Sequence, residues 1–129
     1  MSLRLGDVAP NFKAQTTEGE IDFYEYLGNS WGILFSHPAD FTPVCTTELG
    51  KTALLQDEFA KRNVKVLAVS VDPLDKHLEW RKDINETQNC NVGFPLIADE
   101  DRKVALLYDM LSATVHTAAD LDRNFFIVM

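Results

Sequence analysis

Residues 31–50 read WGILFSHPADFTPVCTTELG and contain the clearest local signals in the chain. The apolar run 31–35 has the composition of a buried strand. Thr42 is a good N-cap residue and Pro43 suits the first helical position, so a helix is predicted to begin there. The stretch therefore predicts a strand, a short loop and a helix. In open α/β sheets, functional sites lie at this carboxyl edge of the strands.

The rest of the chain continues the alternation of strands and helices. The turn signals of residues 5–26 are consistent with a hairpin. Near-continuous apolar runs predict buried strands at 31–35, 64–71, 94–97 and 125–128. Helical spacing predicts helices over about 43–62, from about 75 with Trp80 and Ile84 inward, and from about 101 with Val104, Leu107, Tyr108 and Leu111 inward. This order predicts an α/β sheet with right-handed crossovers.

Composition limits the class of protein. The chain has 129 residues, is 46% hydrophobic and carries a formal net charge of -8, which predicts one soluble domain over residues 1–129 and argues against nucleic acid as a partner. No apolar run approaches the length of a membrane helix, and the first residues lack the apolar core of a signal peptide. A cytoplasmic location without a membrane span is therefore expected.

Cys45 is the candidate reactive residue. It falls at the third position of the predicted helix, where free backbone N–H groups and the positive end of the helix dipole stabilise a thiolate. The sequence thus predicts a pKa for Cys45 below that of a free thiol. The alternative is that Cys45 is a small buried apolar residue.

Pro38, Thr42 and Cys45 form the spacing PxxxTxxC, preceded by His37 and followed by the run TTELG at 46–50. With these motifs the chain resembles the peroxiredoxins, in particular the one-cysteine, peroxiredoxin-6 group. The resemblance implies a thioredoxin-like α/β fold, with a central mixed sheet flanked by helices and an N-terminal hairpin. It also implies a peroxidase that reduces hydrogen peroxide and organic hydroperoxides through a sulfenic acid on Cys45.

The resemblance assigns roles to the residues around the sulfur. Thr42 is expected to hydrogen-bond the peroxide, Pro38 to shield the thiolate from water, and His37 to lie close to the sulfur. Arg123 matches the family arginine that activates the thiolate, and Glu48 matches the acid that orients it. A surface arginine and a helix-surface glutamate are the alternatives for these last two.

The chain also departs from the family pattern in two ways. Family members continue with a further strand, a helix and, in this group, a small C-terminal domain, so the C-terminal end is expected to be incomplete and the activity impaired. Ala39 stands where the group usually has arginine. The alternative function is a catalytically weak thioredoxin-like remnant that binds a partner or self-associates. A homodimer or higher assembly is expected in either case.

The second cysteine, Cys90, does not match a resolving cysteine and is expected to be a spare thiol. The resemblance therefore implies that an external thiol, with glutathione the usual suggestion in this group, reduces the sulfenic acid. No cofactor and no metal are expected.

Three further side chains are assigned structural roles. Ser30 lies in the pattern GxSxG at 28–32, but it precedes the strand and Tyr24 stands in place of the partner histidine, so a turn is favoured over a hydrolase nucleophile. His77 and His116 are expected at the surface. Trp31 is expected in the core.

Overall fold

Five strands form one mixed sheet in the computed structural model, which describes residues 3–37 and 39–110. The strand order is β2-β1-β5-β4-β3. The strands are β1 (Lys13–Thr16), β2 (Gly19–Asp22), β3 (Trp31–Ser36), β4 (Val64–Ser70) and β5 (Leu96–Ala98). The predictions for Pro38, Leu111, His116, Arg123 and the strand at 125–128 lie outside the described residues.

Helices connect the strands. They are α1 (Phe23–Leu27), α2 (Pro43–Leu54), α3 (Gln56–Lys61), α4 (Leu74–Thr87) and α5 (Lys103–Leu107). Strands β3, β4 and β5 are parallel, whereas β1 runs antiparallel to both β2 and β5. The predicted α/β class and N-terminal hairpin are therefore confirmed. Within the described residues, no helix is long and apolar enough to cross a membrane.

Strand β4 lies between two apolar cores because its side chains alternate across the sheet. Leu67 and Val69 pack on one face with residues of α1 and α5. Val66 and Ala68 pack on the other face with residues of α2 and α4. The second face carries Cys45, so the candidate reactive residue is also part of a packed core.

Three details differ from the sequence predictions. Trp31 is 76% exposed, at the first residue of the edge strand β3. The single helix predicted over 43–62 is interrupted at Leu55, whose N–H is shared between the carbonyl groups of Lys51 and Thr52. Leu107 is exposed, and Ala105 takes a buried position on α5 instead.

We expect Ile84→Ala to lower the free energy of unfolding by about 2–5 kcal/mol, since Ile84 is fully buried on α4 and the change leaves a cavity. The matched control Leu54→Ala, at an exposed position of α2, should change it by about 0.5 kcal/mol or less. Urea denaturation followed by circular dichroism measures both. Equal losses would contradict this packing.

Candidate active site

Cys45 lies in the first turn of α2, directly after the loop that follows β3. Thr42 is the N-cap with an extended backbone, and Pro43 is the first helical residue. Phe41 adopts the left-handed region with φ 63°, which is rare for a residue with a side chain and turns the loop into the helix. Cys45 is therefore the third helical residue, as predicted, and it is 7% exposed.

The pKa of Cys45 is raised, so the prediction of a lowered value is wrong for the described surroundings. Burial is the largest cause, because it disfavours the charged thiolate. A hydrogen bond with Thr42 acts in the opposite direction, but the negative charges of Glu48 and Asp40 raise the pKa further. The position at the helix start does not overcome this environment. A nearby cation or proton acceptor would be needed to populate the thiolate near neutral pH.

A cavity of about 440 Å³ opens beside the sulfur. It brings together three of the predicted site residues, His37, Cys45 and Glu48. The other lining residues are Phe35, Ser36, Thr47, Leu49, Lys51 and Thr52. Thr42 contacts Cys45 from the helix cap and donates a hydrogen bond from Oγ1 to the Ala39 carbonyl oxygen, 3.2 Å away. Pro38 and Arg123 lie outside the described residues.

Asp40 joins two histidines in the interior next to this cavity. Its Oδ1 lies 2.8 Å from His37 Nε2, and its Oδ2 lies 2.5 Å from His77 Nδ1. Burial raises the pKa of Asp40, but the hydrogen bonds with His37 and His77 outweigh burial and leave the pKa below its ordinary value. Asp40 is therefore a buried carboxylate held by two imidazole rings.

His77 is fully buried, so its predicted surface position is wrong. Its Nε2 lies 2.8 Å from the carbonyl oxygen of Ile97 on β5. The helical spacing indicates this burial, because His77 shares one face of α4 with Trp80 and Ile84, which were predicted to point inward. Asp40 carried no comparable signal in the sequence, because its partner His77 is 37 residues away.

Trp80 connects α4 to the start of α2. Its Nε1 donates to Thr46 Oγ1 at 2.9 Å, and Thr46 Oγ1 donates to the Thr42 carbonyl oxygen at 2.8 Å. The Trp80 ring also packs against His37, with ring centroids 4.9 Å apart. The helix cap that positions Cys45 is thus fixed by α4.

His37, Asp40 and His77 are also the group of potential metal ligands found within residues 3–37 and 39–110. Their nitrogen and oxygen atoms already contact one another at 2.5 and 2.8 Å. These are hydrogen-bond distances, and a metal ion with ligands about 2.0–2.2 Å away would have to separate the atoms. In the described arrangement these three side chains are therefore hydrogen-bonded to one another.

The remaining candidates lie away from the cavity. Cys45 and Cys90 are both free, and Cys90 Sγ faces the Ile84 carbonyl oxygen at 3.7 Å. Ser30 lies in the turn before β3, where its hydroxyl donates to Asn63 Oδ1 at 3.2 Å. An amide oxygen is not a general base, so this turn does not build a serine nucleophile.

Comparison with known proteins identifies related chains. The model of the AhpC/TSA family matches residues 5–128. A 1-Cys peroxiredoxin of Dictyostelium discoideum is 53% identical over 125 residues, which are 97% of this chain and 52% of the relative. Human peroxiredoxin-6 is 60% identical over 114 residues, covering 84% of this chain and 50% of the relative. The chain thus spans about half the length of these curated relatives.

Solved structures show the same similarity. The yeast mitochondrial 1-Cys peroxiredoxin, studied for thiol resolution via glutathione/thioredoxin systems, superposes with a TM-score of 0.84 at 58% identity, covering 86% of this chain and 53% of that one. A cysteine-to-serine mutant of peroxiredoxin 6 from Arenicola marina gives a TM-score of 0.83 at 44% identity, covering 92% of this chain and 55% of that one. The thioredoxin-like fold expected from the sequence is confirmed.

We expect Glu48→Gln to lower the pKa of Cys45, because the negative charge of Glu48 raises it. The rate of Cys45 alkylation by iodoacetamide, measured against pH in a Cys90→Ser background, should then reach its midpoint at lower pH. Glu58→Gln, on exposed α3, is the control and should leave the midpoint unchanged. A midpoint that stays unchanged or rises in Glu48→Gln would contradict this direct effect of the Glu48 charge on the thiol.

Proposed function

The chain belongs to the AhpC/TSA family, the peroxiredoxins, and from this we propose that it is a thiol peroxidase that reduces hydrogen peroxide and organic hydroperoxides. The observation that carries the proposal is the placement of Cys45. Its sulfur lies in the first turn of α2, contacts Thr42 and borders a cavity.

In the proposed reaction, the Cys45 thiolate attacks the terminal oxygen of the peroxide. The S–O bond forms as the O–O bond breaks, so the sulfur is oxidised to a sulfenic acid and water or an alcohol leaves. The Thr42 hydroxyl exchanges its hydrogen bond to the Ala39 carbonyl oxygen for one to the peroxide, and His37 lines the cavity beside Cys45. Pro38 and Arg123 keep the roles that the sequence motif predicts, shielding the thiolate and stabilising the developing negative charge.

The raised pKa of Cys45 makes a cation important for this reaction. A guanidinium near the sulfur would favour the thiolate over the thiol and polarise the O–O bond. Arg123 is the candidate that the sequence supplies, and Glu48, on the cavity wall, is the candidate to orient it. The proposed site therefore depends on a residue from the last part of the chain.

An external thiol is proposed to reduce the sulfenic acid. Cys90 is half-buried against the end of α4 and lies outside the set of residues that line the cavity. The yeast relative is described with glutathione and thioredoxin systems, and this supports a small thiol such as glutathione as the proposed reductant. We propose no cofactor.

A second candidate function is binding through the open edge of the sheet. Among the described strands, β3 is an edge, and Trp31 is exposed on it. An exposed edge strand with a large aromatic side chain favours pairing with a second copy or a partner. We propose self-association through this edge, as a homodimer or larger assembly. We also propose a cytoplasmic location, although one related protein is mitochondrial.

We expect Cys45→Ser to abolish peroxide consumption by the 129-residue chain, because the sulfur is the atom that is oxidised. Cys90→Ser is the matched control and should keep the activity. Stopped-flow measurement of hydrogen peroxide consumption with glutathione as reductant tests both. Arg123→Met should slow Cys45 oxidation strongly. Unchanged peroxide consumption in Cys45→Ser would refute the proposed function.

Thr42→Val should slow Cys45 oxidation by about 10²-fold, the effect of removing one fixed hydrogen-bond donor from a developing negative charge. Thr42→Ser restores the hydroxyl and should recover most of the rate. Site-resolved mass spectrometry of Cys45 after brief exposure to peroxide gives both rates. Equal losses in the two variants would contradict this role, because Thr42→Ser keeps the hydroxyl that the rate is proposed to need.

A further inference from the structure

Thr46, the residue after Cys45, carries a buried hydroxyl group. Its Oγ1 accepts a hydrogen bond from Trp80 Nε1 at 2.9 Å. An indole N–H can only donate, so Thr46 Oγ1 must be the acceptor in this bond. The single hydrogen of the hydroxyl group is then left for the Thr42 carbonyl oxygen, which lies 2.8 Å away. The direction of both hydrogen bonds is therefore determined.

Trp80 gives the Thr46 hydroxyl group a fixed partner. Its ring is fully buried on α4 and packs in the same core as Cys45 and Leu49. A buried indole N–H needs an acceptor, because it has lost its hydrogen bond to water. Thr46 Oγ1 is that acceptor among the described residues. The Thr46 hydroxyl group on α2 is thus oriented by a second helix.

The peptide group between Thr42 and Pro43 can be hydrogen-bonded only through its carbonyl oxygen. Proline has no backbone N–H, so this peptide offers no donor. The carbonyl oxygen accepts from Thr46 N at 2.9 Å and from Thr46 Oγ1 at 2.8 Å. Both bonds come from one residue. Thr46 therefore fixes the plane of the peptide that follows the α carbon of Thr42.

The side chain of Thr42 depends on the orientation of that peptide. Its hydroxyl group donates to the Ala39 carbonyl oxygen at 3.2 Å. Burial raises the pKa of Cys45, and a hydrogen bond with Thr42 acts in the opposite direction. A small rotation of Thr42 would change both contacts, because a hydrogen bond requires a direction as well as a distance. The contact between the Thr42 hydroxyl group and the sulfur thus depends on Thr46.

We propose that Thr46 is a positioning residue, which holds the Thr42 hydroxyl group in reach of the Cys45 sulfur and of the peroxide. Trp80 orients Thr46 from α4. The proposal rests on the proposed function and deepens it, because it adds a residue to the site without adding a step to the reaction. Thr46 exchanges no proton with the thiol. Attack by the thiolate, formation of the S–O bond and departure of water or an alcohol are unchanged.

Three substitutions separate the hydrogen bonds of Thr46 from its shape. Thr46→Val keeps the branched side chain but can neither accept from Trp80 nor donate to the Thr42 carbonyl oxygen. Thr46→Ser keeps the hydroxyl group and both bonds. Trp80→Phe keeps an aromatic ring and removes only the N–H donor to Thr46. Circular dichroism shows which variants are folded.

Thr87→Val is the matched control for Thr46→Val. The Thr87 hydroxyl group makes the same kind of bond within a helix, to the Asp83 carbonyl oxygen at 2.8 Å, but it lies at the exposed end of α4. All variants are made in a Cys90→Ser background, so that Cys45 is the thiol measured. The two readouts are the pH midpoint of alkylation by iodoacetamide and the rate of oxidation by hydrogen peroxide.

Thr46→Val should raise the alkylation midpoint of Cys45, because it weakens the hydrogen bond with Thr42 that opposes the effect of burial on the pKa. It should also slow oxidation by about tenfold, less than Thr42→Val, since the hydroxyl group is displaced and not removed. Trp80→Phe should change both values in the same direction. Thr46→Ser should recover both values, and Thr87→Val should leave them unchanged.

The double variant Thr42→Val/Thr46→Val tests whether Thr46 acts through Thr42. If it does, adding Thr46→Val to Thr42→Val should change neither the midpoint nor the rate. If Thr46→Val does not fold, Trp80→Phe replaces it in this comparison. A further shift in the double variant, or a Thr46→Ser variant as slow as Thr46→Val, would overturn the proposal.

The alkylation midpoint separates this proposal from the proposed function, because it requires no peroxide turnover. A native chain that consumes no peroxide would refute the proposed function. The role of Thr46 would still be judged by the midpoints of the single and double variants. Midpoints that are the same in the native chain, Thr46→Val and Trp80→Phe would overturn the role of Thr46, whatever the activity of the native chain.

Discussion

The buried Asp40 carboxylate is the constraint on which the geometry of the site depends. A charge in the interior is costly unless it is paired and hydrogen-bonded. Asp40 meets that condition with the rings of His37 and His77, and its backbone N–H is held by Asp72. These partners come from the loop after β3, from α4 and from the turn before α4. One carboxylate therefore sets the distance between the loop that precedes Cys45 and the helix behind it.

Helix α4 holds the loop and the helix start that position the reactive thiol. His77 and Trp80, one turn apart on its buried face, contact the loop and the cap of α2 respectively. Trp80 reaches Thr42 through Thr46, so the residue that caps α2 is held by a hydrogen-bonded chain as well as by packing. Such a network fixes positions more narrowly than apolar contacts alone, because each bond requires a direction as well as a distance.

Local sequence signals predicted the strand, the loop and the helix start that place Cys45, because capping and proline preferences act within a few residues. They did not predict the state of the thiol, since its pKa depends chiefly on burial, which only the fold determines, and the nearby charges of Glu48 and Asp40 act in the same direction. His77 was predicted at the surface because histidine is polar. Its helical spacing with Trp80, however, indicates a buried position. Trp31 was wrongly placed in the core because an apolar run does not reveal whether a strand lies at an edge of the sheet.

The alternation of β4 divides the apolar interior into two cores that support different helices. Leu67 and Ala68 are neighbours in sequence, yet they belong to cores on opposite faces of the sheet. Only the face with Ala68 supports α2, α4 and the thiol. Changes in the packing of the other face are separated from the reactive loop by a continuous hydrogen-bonded sheet. The side-chain packing beneath the thiol therefore involves every second residue of this strand.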